Sequence, residues 1–242
     1  MIDLHLHTDY SDGIYPPKEL LSLAVKAGCD FISITDHDNI RAINEIFALL
    51  ETGHNDIKYI TGMEMDAVFN GLKLHILCYN FDHNSECIKN LFKHVALLKR
   101  EYKARLNENI ISSCADEMEK AKYKPSAEFI IENIHNAGGF VSLAHPIKLQ
   151  NKFNMSLSAL DLFTGELKDK GLDCIEAYHS LHDADDVKNY LEIAEKYRLK
   201  VTAGSDYHGI NRNYKYKTDV NIGKVTSYDL TLDSGKFIKE LL

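Results

Sequence analysis

No stretch of this 242-residue chain is apolar for long enough to span a bilayer, so a membrane-embedded class is not expected. Basic charge is in deficit, and a formal net charge of -8 argues against an electrostatic grip on long nucleic acid. Cysteine pairs of the C-x-x-C kind are missing. The five cysteines (Cys29, Cys78, Cys87, Cys114, Cys174) are odd in number and dispersed, and no signal-like leader opens the chain. Reduced thiols in a cytoplasm are therefore expected. Internal repeats, low-complexity tracts and linkers are also lacking. With 45% hydrophobic and 26% charged residues, the composition is that of one globular domain spanning 1–242.

What the sequence has in excess is histidine, twelve in all. Met1–His7 predicts a short strand in which Ile2, Leu4 and Leu6 alternate with Asp3, His5 and His7. Period-two spacing puts His5 and His7 on one face, a ready chelate for Zn, Mn or Fe. Ser11-Asp12-Gly13 then turns the chain so that Asp12 can return over the strand end. Further apolar strands are predicted at Asp30–Thr35, Lys58–Thr61, Phe140–Ala144, Leu172–Ala177 and Lys200–Gly204. Asn70-Gly71 marks a hairpin between Ala67–Phe69 and Leu72–Leu77. A short strand near Val220–Val225 and a last helix from about Ser234 are predicted in the tail, and residues 84–137 form a helical insertion. Strands alternating with helices indicate an α/β fold with a largely parallel sheet, closed or nearly closed into a barrel of about seven strands.

In such barrels the chemistry sits at the carboxyl ends of the strands. His5, His7, His37, His145, His179 and His208 fall there, with Glu64 and Asp206 beside them and His75 on the hairpin. His75 also fits a core histidine, and Glu64 a solvated loop carboxylate. The coincidence of the whole set is what argues for a site. His54, His83, His94, His135 and His182 lie in loops or charged helices and are expected at the surface. Asp36, just before His37, could orient a ligand histidine or cap the next helix. Nine candidate ligands (His5, His7, Asp12, His37, Glu64, His75, His145, Asp206, His208) are too many for one ion and suit two or three divalent metals. Clustered ions acidify a shared water and clamp both oxygens of an in-line displacement, which suits phosphate esters.

The ordered motifs resemble the PHP (polymerase and histidinol phosphatase) superfamily. They are Asp3-Leu4-His5-Leu6-His7-Thr8 with Ser11-Asp12-Gly13, Thr35-Asp36-His37, Gly62-Met63-Glu64, His75-Ile76-Leu77, Ala144-His145-Pro146 and Gly204-Ser205-Asp206-Tyr207-His208-Gly209. The resemblance implies a distorted seven-stranded (β/α) barrel. It implies one ion on His5, His7, Glu64 and Asp206, a second on Asp12, His37 and His208, and a third on Glu64, His75 and His145. A water or hydroxide bridging two ions would be the nucleophile.

Ile175-Glu176-Ala177-Tyr178-His179 points to the stand-alone branch acting on nucleotides such as 3′,5′-bisphosphates or on short RNA ends. That branch usually carries arginine where this chain has Lys148, which retains the charge but loses the bidentate fork. Lys148 and His179 are expected to contact the substrate, and His179 could protonate the leaving oxygen. The expected activity is phosphate-monoester hydrolysis. Histidinol phosphate and phosphotyrosine are alternative substrates. An amidohydrolase-like C–N hydrolase and a non-catalytic accessory metal domain are the alternatives from other classes.

Overall fold

The computed structural model describes residues 1–53, 57–108, 110–112, 116–209, 221–224, 238–239 and 241–242. Its strands are β1 (Ile2–Leu6), β2 (Phe31–Ile34), β3 (Lys58–Tyr59), β4 (Gly62–Phe69), β5 (Leu72–Tyr79), β6 (Phe140–Leu143), β7 (Cys174–His179) and β8 (Lys200–Gly204). The helices are α1 (Pro17–Lys26), α2 (Arg41–Gly53), α3 (Glu86–Asn107), α4 (Glu117–Ala121), α5 (Ala127–Asn136), α6 (Pro146–Phe153), α7 (Leu157–Asp169) and α8 (Ala184–Tyr197).

Local chemistry sets most of these boundaries. Ser85, Ser126 and Ser156 each cap a helix by accepting a backbone N–H three residues on. Asp183 and Asp186 close a reciprocal capping box at the start of α8. Asn70 and Gly71 both take positive φ (50° and 77°), which gives β4 and β5 the tight turn that their sequence demands.

The strands form a mixed α/β fold. β1, β2 and β3 make a parallel three-stranded sheet, and β4 to β8 make a five-stranded sheet in sequence order. Within the second sheet β4–β5 and β5–β6 are antiparallel, while β6–β7 and β7–β8 are parallel. The expected closed seven-stranded barrel is not confirmed, because among the described residues eight strands lie in two open sheets. Continuous pairing fails at the seams and survives as isolated bridges, Leu6 with Tyr207 and His37 with Glu64. The strand expected near Val220–Val225 is not borne out in its described part: Val220 and Val225 lie outside the described residues, and Asn221–Lys224 form a turn closed by Lys224 N–H donating to the Asn221 carbonyl at 3.0 Å. The tail helix is likewise outside the described residues except at Ile238, Lys239 and Leu241.

The main apolar core lies between the second sheet and the helices that cover it, with Met65, Ile76, Leu143 and Ile175 facing Ile130, Ile134 and Leu160. Burial of this kind contributes roughly 1.5–3 kcal/mol per large side chain. α5, inside the segment read as an insertion, thus packs on the sheet. α1 and α2 cover the other sheet through Leu20, Leu21, Ala42 and Ile46. Among the described residues no helix is long and apolar enough to cross a membrane. Cys29, Cys78, Cys87 and Cys174 are free thiols, and Cys114 lies outside the described residues.

Candidate metal centre

The two seams bring the strand ends together. At the first, Asp206 N–H donates to the His5 carbonyl at 2.9 Å, and His7 N–H donates to the Tyr207 carbonyl at 3.0 Å. At the second, Glu64 N–H donates to the Thr35 carbonyl at 3.1 Å. Gly204 makes the first seam possible, since a Cβ built there would lie 2.2 Å from the His5 Cβ. β1 therefore delivers His5, and His7 just beyond it, against Asp206 from the end of β8 and Glu64 from β4. The His5 and His7 rings lie 5.1 Å apart.

Glu64 is 1% exposed and sits at the centre of the site. Its Oε2 is 3.2 Å from His5 Nε2 and 3.3 Å from both His7 Nε2 and His37 Nε2. Its Oε1 is 2.8 Å from His75 Nδ1 and 2.9 Å from His145 Nε2. Asp206 Oδ1 lies 3.2 Å from His7 Nε2 and 3.5 Å from His5 Nε2. Asp12, on the loop after β1, offers Oδ1 at 3.0 Å from His208 Nε2, 3.7 Å from His7 Nδ1 and 4.0 Å from His37 Nε2. All nine candidate ligands are thus brought together. They fall into overlapping groups of mutually close donor atoms: His5, His7, Glu64, Asp206; His7, Asp12, His37, His208; and Glu64, His75, His145. His145 (φ 28°) and Asp206 (φ 57°) both hold left-handed backbone, a strain that surrounding structure must sustain.

A fit test for cations comes from atoms that are buried without a hydrogen-bond partner. His5 Nε2, both His7 ring nitrogens and Glu64 Oε2 are in this state; His5 Nε2 and His7 Nε2 face Glu64 Oε2, while His7 Nδ1 faces Asp12. Each such atom costs about 1–3 kcal/mol unless something occupies the space between them. Imidazole nitrogens with carboxylate oxygens are the donor set of Zn, Mn and Fe, so the residues fit divalent ions.

The charges fit as well. Burial would raise Glu64, but His37, His75 and His5 hold it well below the usual carboxylate range, as Lys148 and His5 hold Asp206. Burial pushes His37 down to about 4 and, with Lys148, lowers His145 too. His7 and His75 go the other way. Burial would lower them, but Asp206 and Glu64 around the first, and Glu64 and Asp66 around the second, lift both to about 9. With no cation present, the crowded carboxylates draw protons onto these rings.

The other expected site residues are placed as follows. Asp36 is buried, and its carboxylate accepts from Thr8 N–H (2.7 Å), Thr8 Oγ1 (2.6 Å) and Ser11 Oγ (2.6 Å). It therefore anchors the loop that carries Asp12, a third role besides the two that the sequence suggested. Lys148, on the first turn of α6, is ion-paired with Asp206. It lines a cavity of about 140 Å³ together with Lys73, His75, His145, Leu149 and Lys152. His179 is fully buried, its Nδ1 accepts from Leu181 N–H at 3.1 Å, and its Nε2 is 3.6 Å from Asp206 Oδ2.

Among the histidines expected at the surface, His135 is exposed, while His83 and His94 are half-buried. His54 lies outside the described residues. His182 corrects the expectation: it is fully buried, with Nδ1 2.8 Å from the Ala177 carbonyl and its ring 5.1 Å from that of His179. The loop after β7 folds back, His182 N–H donating to the His179 carbonyl at 3.0 Å, and carries the ring inward.

Three carboxylates escaped the sequence reading. Glu176 on β7 is 2.9 Å from His5 Nδ1, and Asp66 on β4 is 3.0 Å from His75 Nε2. Asp3 accepts from Ser205 N–H at 2.9 Å and Gly223 N–H at 2.8 Å. The available signal was an acid inside an otherwise apolar strand, as in Cys174-Ile175-Glu176-Ala177.

The PHP domain model matches residues 3–194. The chain belongs to the PHP domain family. It is accordingly an enzyme of the hydrolase kind. It is 25% identical over 251 residues to a 5′-3′ exoribonuclease of Haemophilus influenzae, covering 85% of this chain and 89% of that one. It is 21% identical to the 3′,5′-nucleoside bisphosphate phosphatase of Chromobacterium violaceum, covering 86% and 87%. Its fold is similar to that of a Bifidobacterium adolescentis protein assigned to the metal-dependent phosphoesterases. There the TM-score is 0.70 and the identity 24%, over 93% of each chain.

Proposed function

We propose that this PHP chain hydrolyses phosphate monoesters at a two- or three-ion centre built around Glu64, on a nucleotide or another small phosphorylated molecule. The observation that carries the reading is Glu64 itself. One buried carboxylate has five imidazoles within 3.3 Å, divided between its two oxygens. That is the arrangement of a bridging ligand. His5, His7, Glu64 and Asp206 would hold one ion, Asp12, His37 and His208 a second, and Glu64, His75 and His145 a third. Divalent ions held there would acidify water and neutralise charge on a transferring phosphoryl group.

The chain's own residues supply the rest. Lys148 presents its ammonium at the wall of the cavity beside His75 and His145, where a substrate phosphate would find both the charge and a hydrogen-bond donor. Because Leu181 N–H donates to His179 Nδ1, the ring proton of His179 belongs on Nε2, the atom facing Asp206. Steadying Asp206 fits that geometry as it stands; protonating the leaving oxygen, the other role, needs the ring to take up a second proton at Nδ1 and release the Leu181 N–H. If His179→Ala lowers turnover with metal content unchanged, the second role holds. If it alters only metal affinity, the first does. The same reading takes the Leu6–Tyr207 and His37–Glu64 bridges as the seams of a distorted barrel.

The test is phosphate release by the Mn-loaded protein, with a chelated control. The panel comprises 3′-phosphoadenosine 5′-phosphate, histidinol phosphate, phosphotyrosine and a 5′-phosphorylated short RNA. Chelator-sensitive release of phosphate from a nucleotide supports the proposal. Hydrolysis of amides with every phosphate ester untouched refutes it.

A further inference from the structure

One carboxylate outside the nine candidate ligands touches the groups that hold two of the clusters. Glu176 is fully buried on β7. Its Oε1 is 2.9 Å from His5 Nδ1, and its Oε2 accepts the backbone N–H of His145 at 2.7 Å. His145 is the residue with φ 28°, placed between β6 and the first turn of α6, so that N–H fixes a strained corner. Gly204 packs against the same carboxylate, and a Cβ there would lie 3.0 Å from Oε1.

An ionised carboxylate only accepts hydrogen bonds, and this sets the chemistry of both neighbours. A singly protonated His5 must carry its proton on Nδ1, which leaves the Nε2 lone pair pointing toward Glu64 Oε2 at 3.2 Å and Asp206 Oδ1 at 3.5 Å. The corner held at His145 aims its Nε2 at Glu64 Oε1, 2.9 Å away. On the multi-ion reading above, we propose that Glu176 is the positioning residue that fixes the His5 tautomer and the His145 corner together, so that one side chain sets the ion affinity of the first and third clusters.

Glutamine is the discriminating substitution, because it has nearly the same shape but only one acceptor oxygen. If that oxygen stays on His145 N–H, the amide NH₂ faces His5 Nδ1 and forces the ring proton onto Nε2, the ligand atom. If the amide flips, NH₂ meets the His145 N–H and the corner is released. Either way a cluster is lost.

The experiment titrates Mn into chelator-stripped wild type and Glu176→Gln, reading ions per chain by elemental analysis and affinity by calorimetry. The expected result is one ion fewer per chain or affinity weaker by about 10–100-fold, the usual cost of removing a partner behind a ligand. If Glu176→Gln does not fold, Glu176→Asp replaces it. Asp retains two acceptors and the charge, but its shorter arm reaches one neighbour at a time, so the same loss is expected. A folded variant with wild-type stoichiometry and affinity overturns the proposal. Wild-type protein that binds no ion at all would overturn the multi-ion reading instead.

Discussion

Gly204→Ala tests whether the seam between β8 and β1 positions the centre. The added carbon would lie 2.2 Å from the His5 Cβ and 2.8 Å from the His5 backbone nitrogen. Carbon contacts relax only near about 3.5–4.0 Å, so the strands must part by roughly 1.5 Å. Neither atom belongs to the end of a flexible side chain, and His5 is buried between Glu64, Glu176 and Asp206. Overpacking of this kind costs about 1–3 kcal/mol, and with no escape route the upper end applies. For a chain of this length about 3 kcal/mol lowers Tm by roughly 6–12 °C. The movement also exceeds the roughly 0.2 Å tolerance of a metal–ligand distance, so Mn affinity should fall by at least about tenfold. Calorimetric unfolding of the metal-free variant and Mn titration of the folded variant measure the two effects separately. A Tm within about 1 °C of wild type, with unchanged Mn affinity, would refute the reasoning.

Three further predictions follow from the same geometry. Asp36→Asn leaves at least one of the Thr8 and Ser11 donors without an acceptor, so stability should drop by about 1–3 kcal/mol. The ion nearest Asp12 should be the one lost, which elemental analysis would count. Lys148→Ala should raise KM by about 10–150-fold with little change in metal content, since one charge-assisted contact is worth about 1.5–3 kcal/mol; an unchanged KM in steady-state assays counts against its contact with substrate. The third concerns pH. His7 and His75 have folded pKa values raised from the usual 6.5 to about 9, so the folded metal-free chain binds more protons than the unfolded one between those limits. That stabilisation is complete below about pH 6.5 and is lost as pH rises through about 9. Across the same window Mn competes with those protons, so its affinity should rise by about tenfold per pH unit for each proton displaced. Calorimetry in buffers of different ionisation enthalpy would detect the released protons, and zero release would exclude the account of these two rings.

What could be read from the sequence was whatever a short window determines. His5 and His7 share a face because a strand alternates, Asn70-Gly71 turns because both residues tolerate positive φ, and His145-Pro146 ends a strand because proline starts the next helix. These gave the α/β class, most strands and the whole candidate ligand set. The acid inside apolar β7 was visible, but the role of Glu176 was not, since its partner His5 is 171 residues away and the contact depends on how β7, β8 and β1 lie side by side. Asp3 was missed for the same reason, its partners Ser205 and Gly223 being distant in sequence, whereas Asp66 faces His75 directly across the β4–β5 hairpin and could have been found from the Asn70-Gly71 turn. His182 was misplaced because its loop, polar in sequence, folds back onto Ala177. The closed barrel was expected from the number of strands, but closure is a property of hydrogen bonding at the seams, and there the ladder is reduced to single bridges.

The central claim is that the Glu64 cluster binds several cations and that phosphate-ester hydrolysis depends on them. Chelator-stripped protein titrated with Mn, with ions per chain and phosphate release from 3′-phosphoadenosine 5′-phosphate followed together, tests it most directly. The account predicts no release from the stripped chain, release that rises with the second ion bound, and fewer ions per chain with no release in Glu64→Gln. Full activity in the presence of chelator, or wild-type ion binding by Glu64→Gln, would contradict it.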